Sequence, residues 1–160
     1  MKTFSELLDL HREIDEMFFA HQCALLRFEF EEALSLLERY ESALLRHMRD
    51  EEDLLFPLYD KRCPVTRGGA TKLFLDDHEK MRGFVHLFKE ETGKLAANPQ
   101  PESVLLMLLD REAFYKRLCS HHDKREREIL YPALDEFTSE AEKIEMLAGV
   151  TRTFASSKTA

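Results

Sequence analysis

His47-Met-Arg-Asp-Glu51-Glu-Asp-Leu-Leu-Phe-Pro57-Leu-Tyr-Asp60 is the stretch whose reading decides the fold, because the chain repeats it 75 residues later. The second copy is His122-Asp-Lys-Arg-Glu126-Arg-Glu-Ile-Leu-Tyr-Pro132-Ala-Leu-Asp135. Without a gap, His, Glu, Leu, Pro and Asp coincide at 47/122, 51/126, 55/130, 57/132 and 60/135. Asp53/Glu128, Leu54/Ile129 and Phe56/Tyr131 are conservative replacements in the same register. Two copies of one local device imply two similar halves.

A histidine and a glutamate four residues apart on a helix lie about 40° apart around its axis and about 6 Å apart along it. Such side chains can close on one metal ion, or one can ligate while the other bridges to a second. A wheel centred on His47 places Leu36, Tyr40, Ala43, Leu44, Leu54 and Leu58 on its face. Arg46, Arg49, Glu38, Glu41, Glu52 and Asp53 fall to the side or behind. His47 and Glu51 therefore sit in the apolar stripe that faces a core. His122 and Glu126 repeat this among Tyr115, Leu118, Cys119, Ile129 and Ala133. An ionised carboxylate on such a stripe is costly to bury without a partner or a metal. Two of them, each with a histidine four residues earlier, ask for a shared cation. The rival reading is a polar core in which the histidines hydrogen-bond the glutamates without metal.

The 160 residues fit one domain with a real core, and the low glycine and proline content, five of each, suits long amphipathic helices. Acidic residues outnumber basic ones 31 to 23, for a formal charge of −8, and no basic cluster is present, which argues against a nucleic-acid partner. No apolar run approaches 18 residues, and Lys2, Glu6 and Asp9 interrupt any signal-like start. A soluble, cytoplasmic protein without a membrane partner is the expectation. Cys23, Cys63 and Cys119 form no paired motif and read as small buried hydrophobes or incidental thiols.

Along the chain, Thr3 or Ser5 is expected to cap a first helix, with Glu6 completing a capping box. Its apolar face is Phe4, Leu7, Leu8, His11, Ile14, Phe18 and Leu25, and it ends between Cys23 and Phe28. A second helix runs from about Phe30 to Lys61, and Pro57 in its last turns predicts a kink or an early stop. After the Cys63–Gly69 loop, a third helix covers about Ala70 to Leu95, and Asn98-Pro-Gln-Pro101 breaks the chain. A fourth covers about Glu102 to Glu136, and Thr138-Ser-Glu starts a short fifth through about Ala148, before a loose Ser-Ser-Lys-Thr-Ala end. The expected class is all-α: an antiparallel up-down-up-down four-helix bundle over 1–137, with the short helix and tail over 138–160. The first and third helices each add one inward histidine, His11 and His78. His11 precedes His47 by 36 residues and His78 precedes His122 by 44, so both pairs can meet at similar depth.

These six positions resemble the hemerythrin-like (HHE cation-binding) family. The resemblance rests on His11 in His-Arg-Glu-Ile-Asp, on the two His-x-x-x-Glu motifs continuing into Leu-Phe-Pro and Leu-Tyr-Pro, and on His78 after Asp-Asp; it spans about residues 4 to 136. It implies an oxo- or hydroxo-bridged centre of two iron ions in a four-helix bundle. Glu51 and Glu126 would bridge the ions, and His11, His47, His78 and His122 would be terminal ligands. Manganese or zinc also suits such donors. The oxygen-carrying hemerythrins have two histidines four apart on the third helix, where Phe74 and Arg82 flank His78 here, and an aspartate on the fourth where Arg127 stands. The ligand set is closer to the four-histidine, two-glutamate version tied to nitric-oxide and iron-stress responses. The expected function is binding or sensing of a small gaseous ligand, dioxygen or nitric oxide, or iron handling under stress. The alternatives are a di-iron oxidase, peroxidase or nitric-oxide reductase, and a metal-independent interaction module.

Other residues have quieter readings. His21, His86 and His121 lie about 80–100° off the ligand face and read as flank or surface. Asp15, four after His11, is either a further carboxylate at the centre or a surface aspartate. Tyr40 and Tyr115, at matching places before the two motifs, read as core packing.

Overall fold

A computed structural model describes residues 2–155, and of 151–155 the helical backbone alone. All regular structure among them is helical. A 3₁₀ turn, Phe4–Leu7, leads into α1 (Leu8–Leu26). Next come α2 (Phe30–Asp50), a π-helical turn (Glu51–Leu55) and α3 (Phe56–Arg62) as one continuous rod. After α4 (Thr71–Leu95), the same construction recurs as α5 (Pro101–Arg125), a π-helical turn (Glu126–Leu130) and α6 (Tyr131–Phe137), before α7 (Glu140–Ala155). The long helices pack in the ring α1–α2–α4–α5 and back to α1; α3 lies against α6, and α7 against α2. The expected loose tail lies outside the described residues.

The prolines neither stop nor visibly end the two rods. In each, a π turn comes first: the amide of Phe56 donates to the carbonyl of Glu51, and that of Tyr131 to Glu126, five residues back. Pro57 and Pro132 then stand at the start of the next helical stretch, where a missing N–H costs little.

The π turn also changes which residues face inward. A 3.6-residue wheel puts Leu54 and Leu58 on the core face, and Ile129 and Ala133 in the second copy. In the structure these four are only half-buried, and the core takes Leu55, Phe56 and Tyr59 in one rod and Leu130, Tyr131 and Leu134 in the other. One additional residue in a turn rotates everything after it back by about 100°. Each of the six is 3% exposed or less, so the rotated register is the packed one.

The ends of the rods bind the starts of other helices. Thr3 and Ser5 do not cap α1 as expected. Instead the Asp135 carboxylate accepts from the amides of Phe4 (2.7 Å) and Ser5 (3.2 Å) and from the Ser5 hydroxyl (2.8 Å). Asp60, its counterpart in the repeat, accepts from the Thr71 hydroxyl at the start of α4. The first helix ends without glycine: Phe28 itself takes the left-handed conformation, φ 60°, while Glu29 N–H bonds Ala24 O at 3.0 Å. The fifth helix begins at Glu140 under a reciprocal Ser139–Glu142 cap, extends past Ala148 to Ala155, and buries Leu147 and Val150.

Deleting the exposed Asp53 should restore an ordinary turn and swing Leu55, Phe56 and Tyr59 off the core. Large apolar side chains removed from a core cost about 2–5 kcal/mol each. The deletion is therefore expected to abolish the cooperative urea transition of the wild type, and retention of a wild-type midpoint would contradict this account of the π turn.

Candidate metal centre

Glu51 and Glu126 are the first residues of the two π turns, so each lies where the helix widens. Their carboxylates meet in the bundle interior, 1% and 0% exposed. The structure brings all six sequence-derived donors together there, in two overlapping groups whose donor atoms lie within 4.8 Å of one another. One group is His11, His47, Glu51 and Glu126; the other is Glu51, His78, His122 and Glu126. Both glutamates belong to both.

The pairing of atoms is regular. Glu51 Oε1 faces His47 Nε2 at 3.7 Å, and Oε2 faces His78 Nε2 at 3.4 Å. Glu126 Oε2 faces His11 Nε2 at 3.4 Å, and Oε1 faces His122 Nε2 at 2.7 Å. Each carboxylate thus turns one oxygen toward the histidines of each group. Three of these four buried oxygens, Glu51 Oε2 and both of Glu126, have no hydrogen-bond partner. Buried carboxylates so placed need cationic compensation. The donor set therefore fits metal ions: imidazole nitrogens and carboxylate oxygens suit iron, manganese or zinc.

The electrostatics report the same crowding. Burial raises the Glu126 carboxyl, and the Glu51 charge beside it raises it further. Burial would also raise Glu51, but His47, His78 and His122 hold it below the usual carboxylate range. Burial, with the neighbouring imidazoles, lowers His47 to about 4 against the pull of Glu51. Burial works the same way on His11 and His122, yet the surrounding carboxylates push both up to about 9.

Outside the ligand atoms, further carboxylates orient the rings. Asp123 Oδ1 is 3.2 Å from His11 Nδ1, Glu52 Oε1 is 2.7 Å from His78 Nδ1, and Asp77 Oδ2 is 3.5 Å from His122 Nδ1. Arg82 in turn binds Glu52 at 2.6 Å, and Arg125 binds Asp77. Sequence reasoning missed Glu52, Asp77 and Asp123. It also missed Tyr131, whose hydroxyl donates to Glu51 Oε1 (2.7 Å) and lies 3.1 Å from His11 Nε2. On an ideal wheel Tyr131 is nine residues from His122, about 180° away; only the π turn brings it in. Its counterpart Phe56 stacks on His78, with ring centroids 5.6 Å apart, and Phe74 packs against His122.

Asp15 belongs to neither donor group, and Asp123 takes the place beside His11. Burial and the Asp123 charge raise Asp15 to about 6. His86 and His121 are exposed as expected. His21 is not a surface residue. It is fully buried, with Nδ1 donating to Ala33 O (2.7 Å) and Nε2 against Glu112 (2.8 Å), so it ties α1 to α2 and α5. Tyr40 and Tyr115 bond each other at 2.5 Å and no ligand. A cavity of about 30 Å³ opens beside His11, His47 and His122, with Ile14, Leu44 and Met48 on its walls.

An all-helical bundle with these two donor groups defines a metal-binding protein. A family model for the hemerythrin HHE cation-binding domain matches residues 2–134, and the chain belongs to that family. No curated protein and no solved structure matches it. No helix among the described residues is long and apolar enough to cross a membrane.

Glu51→Ala and His122→Ala are expected to lose metal and the thermal stabilisation that metal gives. Ligand at 100 times its Kd contributes about 2.7 kcal/mol, and each kcal/mol moves the midpoint by about 2–4 °C at this size. Tyr131→Phe should keep the fold and weaken metal binding by about 10–100-fold, as loss of an orienting hydrogen bond does. Metal analysis and thermal melts with and without added iron check these outcomes, and full metal content in Glu51→Ala would reject the site.

Proposed function

We propose that the protein is a non-haem di-iron protein that binds or senses dioxygen or nitric oxide, or handles iron under oxidative or nitrosative stress. The observation that carries this reading is the division of each carboxylate between the two donor groups. Two ions bridged by Glu51 and Glu126 would use every carboxylate oxygen, with His11 and His47 on one ion and His78 and His122 on the other. Such a pair of ions, when bound, would supply the electrons and the open positions that a small ligand needs. The protein's own part is to hold the six donors in a dry core and to exclude bulk water. The cavity beside three of the histidines supports a small ligand, since one water needs about 10–15 Å³ of such space and about 30 Å³ accommodates a diatomic molecule.

The reading takes the bundle as up-down-up-down, the arrangement that its short links favour, and places the protein in the cytoplasm. An enzyme using the same ions, as oxidase, peroxidase or nitric-oxide reductase, is the second reading. The deciding measurement is metal content with an optical spectrum under argon, air and nitric oxide. Close to two irons per chain and a spectrum that changes with either gas are expected. One ion per chain, or none, would overturn the di-iron reading. Multiple turnovers of oxygen, peroxide or nitric oxide would favour the enzyme.

A further inference from the structure

The internal cavity has a neighbour. A surface groove of about 330 Å³ runs between α1 and α5, under Phe19 and past Lys116 and Arg127 at its rim. The groove and the cavity share four wall residues: Asp15, Tyr40, Cys119 and Asp123. These four are the partition between solvent and the space beside His11, His47 and His122. Tyr40 is fixed in that partition by its bond to Tyr115, which also hydrogen-bonds Cys119. The movable members are Cys119, a small side chain, and Asp15, which is exposed at the groove.

The charges along the route are unevenly placed. The cations Lys116 and Arg127 touch only the outer groove, and Lys116 is tied to Gln22 at 3.0 Å. The partition itself carries two carboxylates and no cation from the lysines or arginines. An anion attracted to the rim must still pass between Asp15 and Asp123 at close range, where like charges repel strongly. A neutral molecule meets only the thiol, the phenol and an apolar chamber.

We propose that the α1–α5 seam is the entry route to the centre and that Asp15 and Asp123 make it selective for small neutral molecules over anions. This rests on the reading that the centre holds iron and takes a small ligand. Asp123 also supports His11, so Asp15 is the residue that tests the filter cleanly.

The experiment compares wild type, Asp15→Asn and Cys119→Leu at pH 8. Association of azide and of nitric oxide with the iron-loaded proteins is followed by stopped-flow absorbance. Asp15→Asn is expected to speed azide entry about tenfold, the scale on which local charge changes association, and to leave nitric oxide within twofold. Cys119→Leu, which fills the partition, should slow both ligands. A second readout needs no metal: alkylation of Cys119 in metal-free protein by neutral iodoacetamide and anionic iodoacetate, resolved by peptide mass spectrometry and normalised to Cys23. Asp15→Asn should raise the iodoacetate rate at Cys119 selectively. Unchanged azide-to-nitric-oxide and iodoacetate-to-iodoacetamide ratios in Asp15→Asn overturn the filter. Wild-type nitric-oxide entry in a folded Cys119→Leu overturns the route. If the wild type takes up no iron, or gives no spectral change with nitric oxide, the functional reading falls, and the alkylation ratios still decide the partition.

Discussion

Two carboxylates buried side by side in an apolar interior are the constraint around which this bundle is built. Glu51 and Glu126 have donor oxygens within 4.8 Å of each other and almost no exposure. Two like charges about 4 Å apart repel by about 4 kcal/mol at an effective dielectric of 20, before any loss of hydration is counted. Four histidines, one from each long helix, stand where positive charge is needed, yet His47 cannot easily be protonated there. Imidazoles alone therefore compensate the pair only in part. Metal ions compensate both carboxylates at once and leave the imidazoles in the neutral form that ligates.

The π turns make this geometry compatible with a continuous rod. Each begins at the glutamate, so the carboxylate leaves the helix where the backbone ring is widest, and each ends just before the residue that precedes proline. A proline inside a regular helix would clash with the carbonyl four residues back. A wide turn placed immediately ahead removes that conflict. The same device rotates Leu55, Phe56, Tyr59 and their counterparts into the core. Site geometry and core packing are thus set by one local departure from the α-helix, used twice.

That departure also marks where the sequence stops being legible. The six donors could be read because histidine and glutamate four apart share a face on any regular helix, and because the repeat showed the spacing twice. The helix ends near proline and glycine could be read for similar local reasons. Leu54 and Leu58 were assigned to the core by a wheel that assumes 3.6 residues per turn throughout, and the π turn invalidates it beyond Glu51. Tyr131 was hidden by the same error. Asp77 and Asp123 were hidden for another reason: each supports a histidine on a different helix, His122 and His11, and no single-helix pattern contains that information. His21 looked peripheral because its partner Glu112 is 91 residues away. The end of α1 was poorly marked since Phe28 takes a left-handed conformation that glycine usually advertises.

The repeat is strict in its ligands and loose in their surroundings, and this difference has a consequence. Phe56 and Tyr131 occupy equivalent places, but one lays a phenyl ring on His78 while the other donates a hydrogen bond to Glu51 beside His11. His78 and His122 are further hemmed in by Phe74 and by each other, with Nε2 atoms 3.3 Å apart. His11 and His47 border the open cavity together, whereas His78 does not. Equal donor counts therefore do not make equal positions. The half holding His11 and His47 combines a hydroxyl donor, neighbouring carboxylate and free volume, and the half holding His78 is packed with aromatic carbon. A small molecule entering the core meets the first before the second, so the chemical asymmetry of the centre follows from a single hydroxyl group and from which helices leave space.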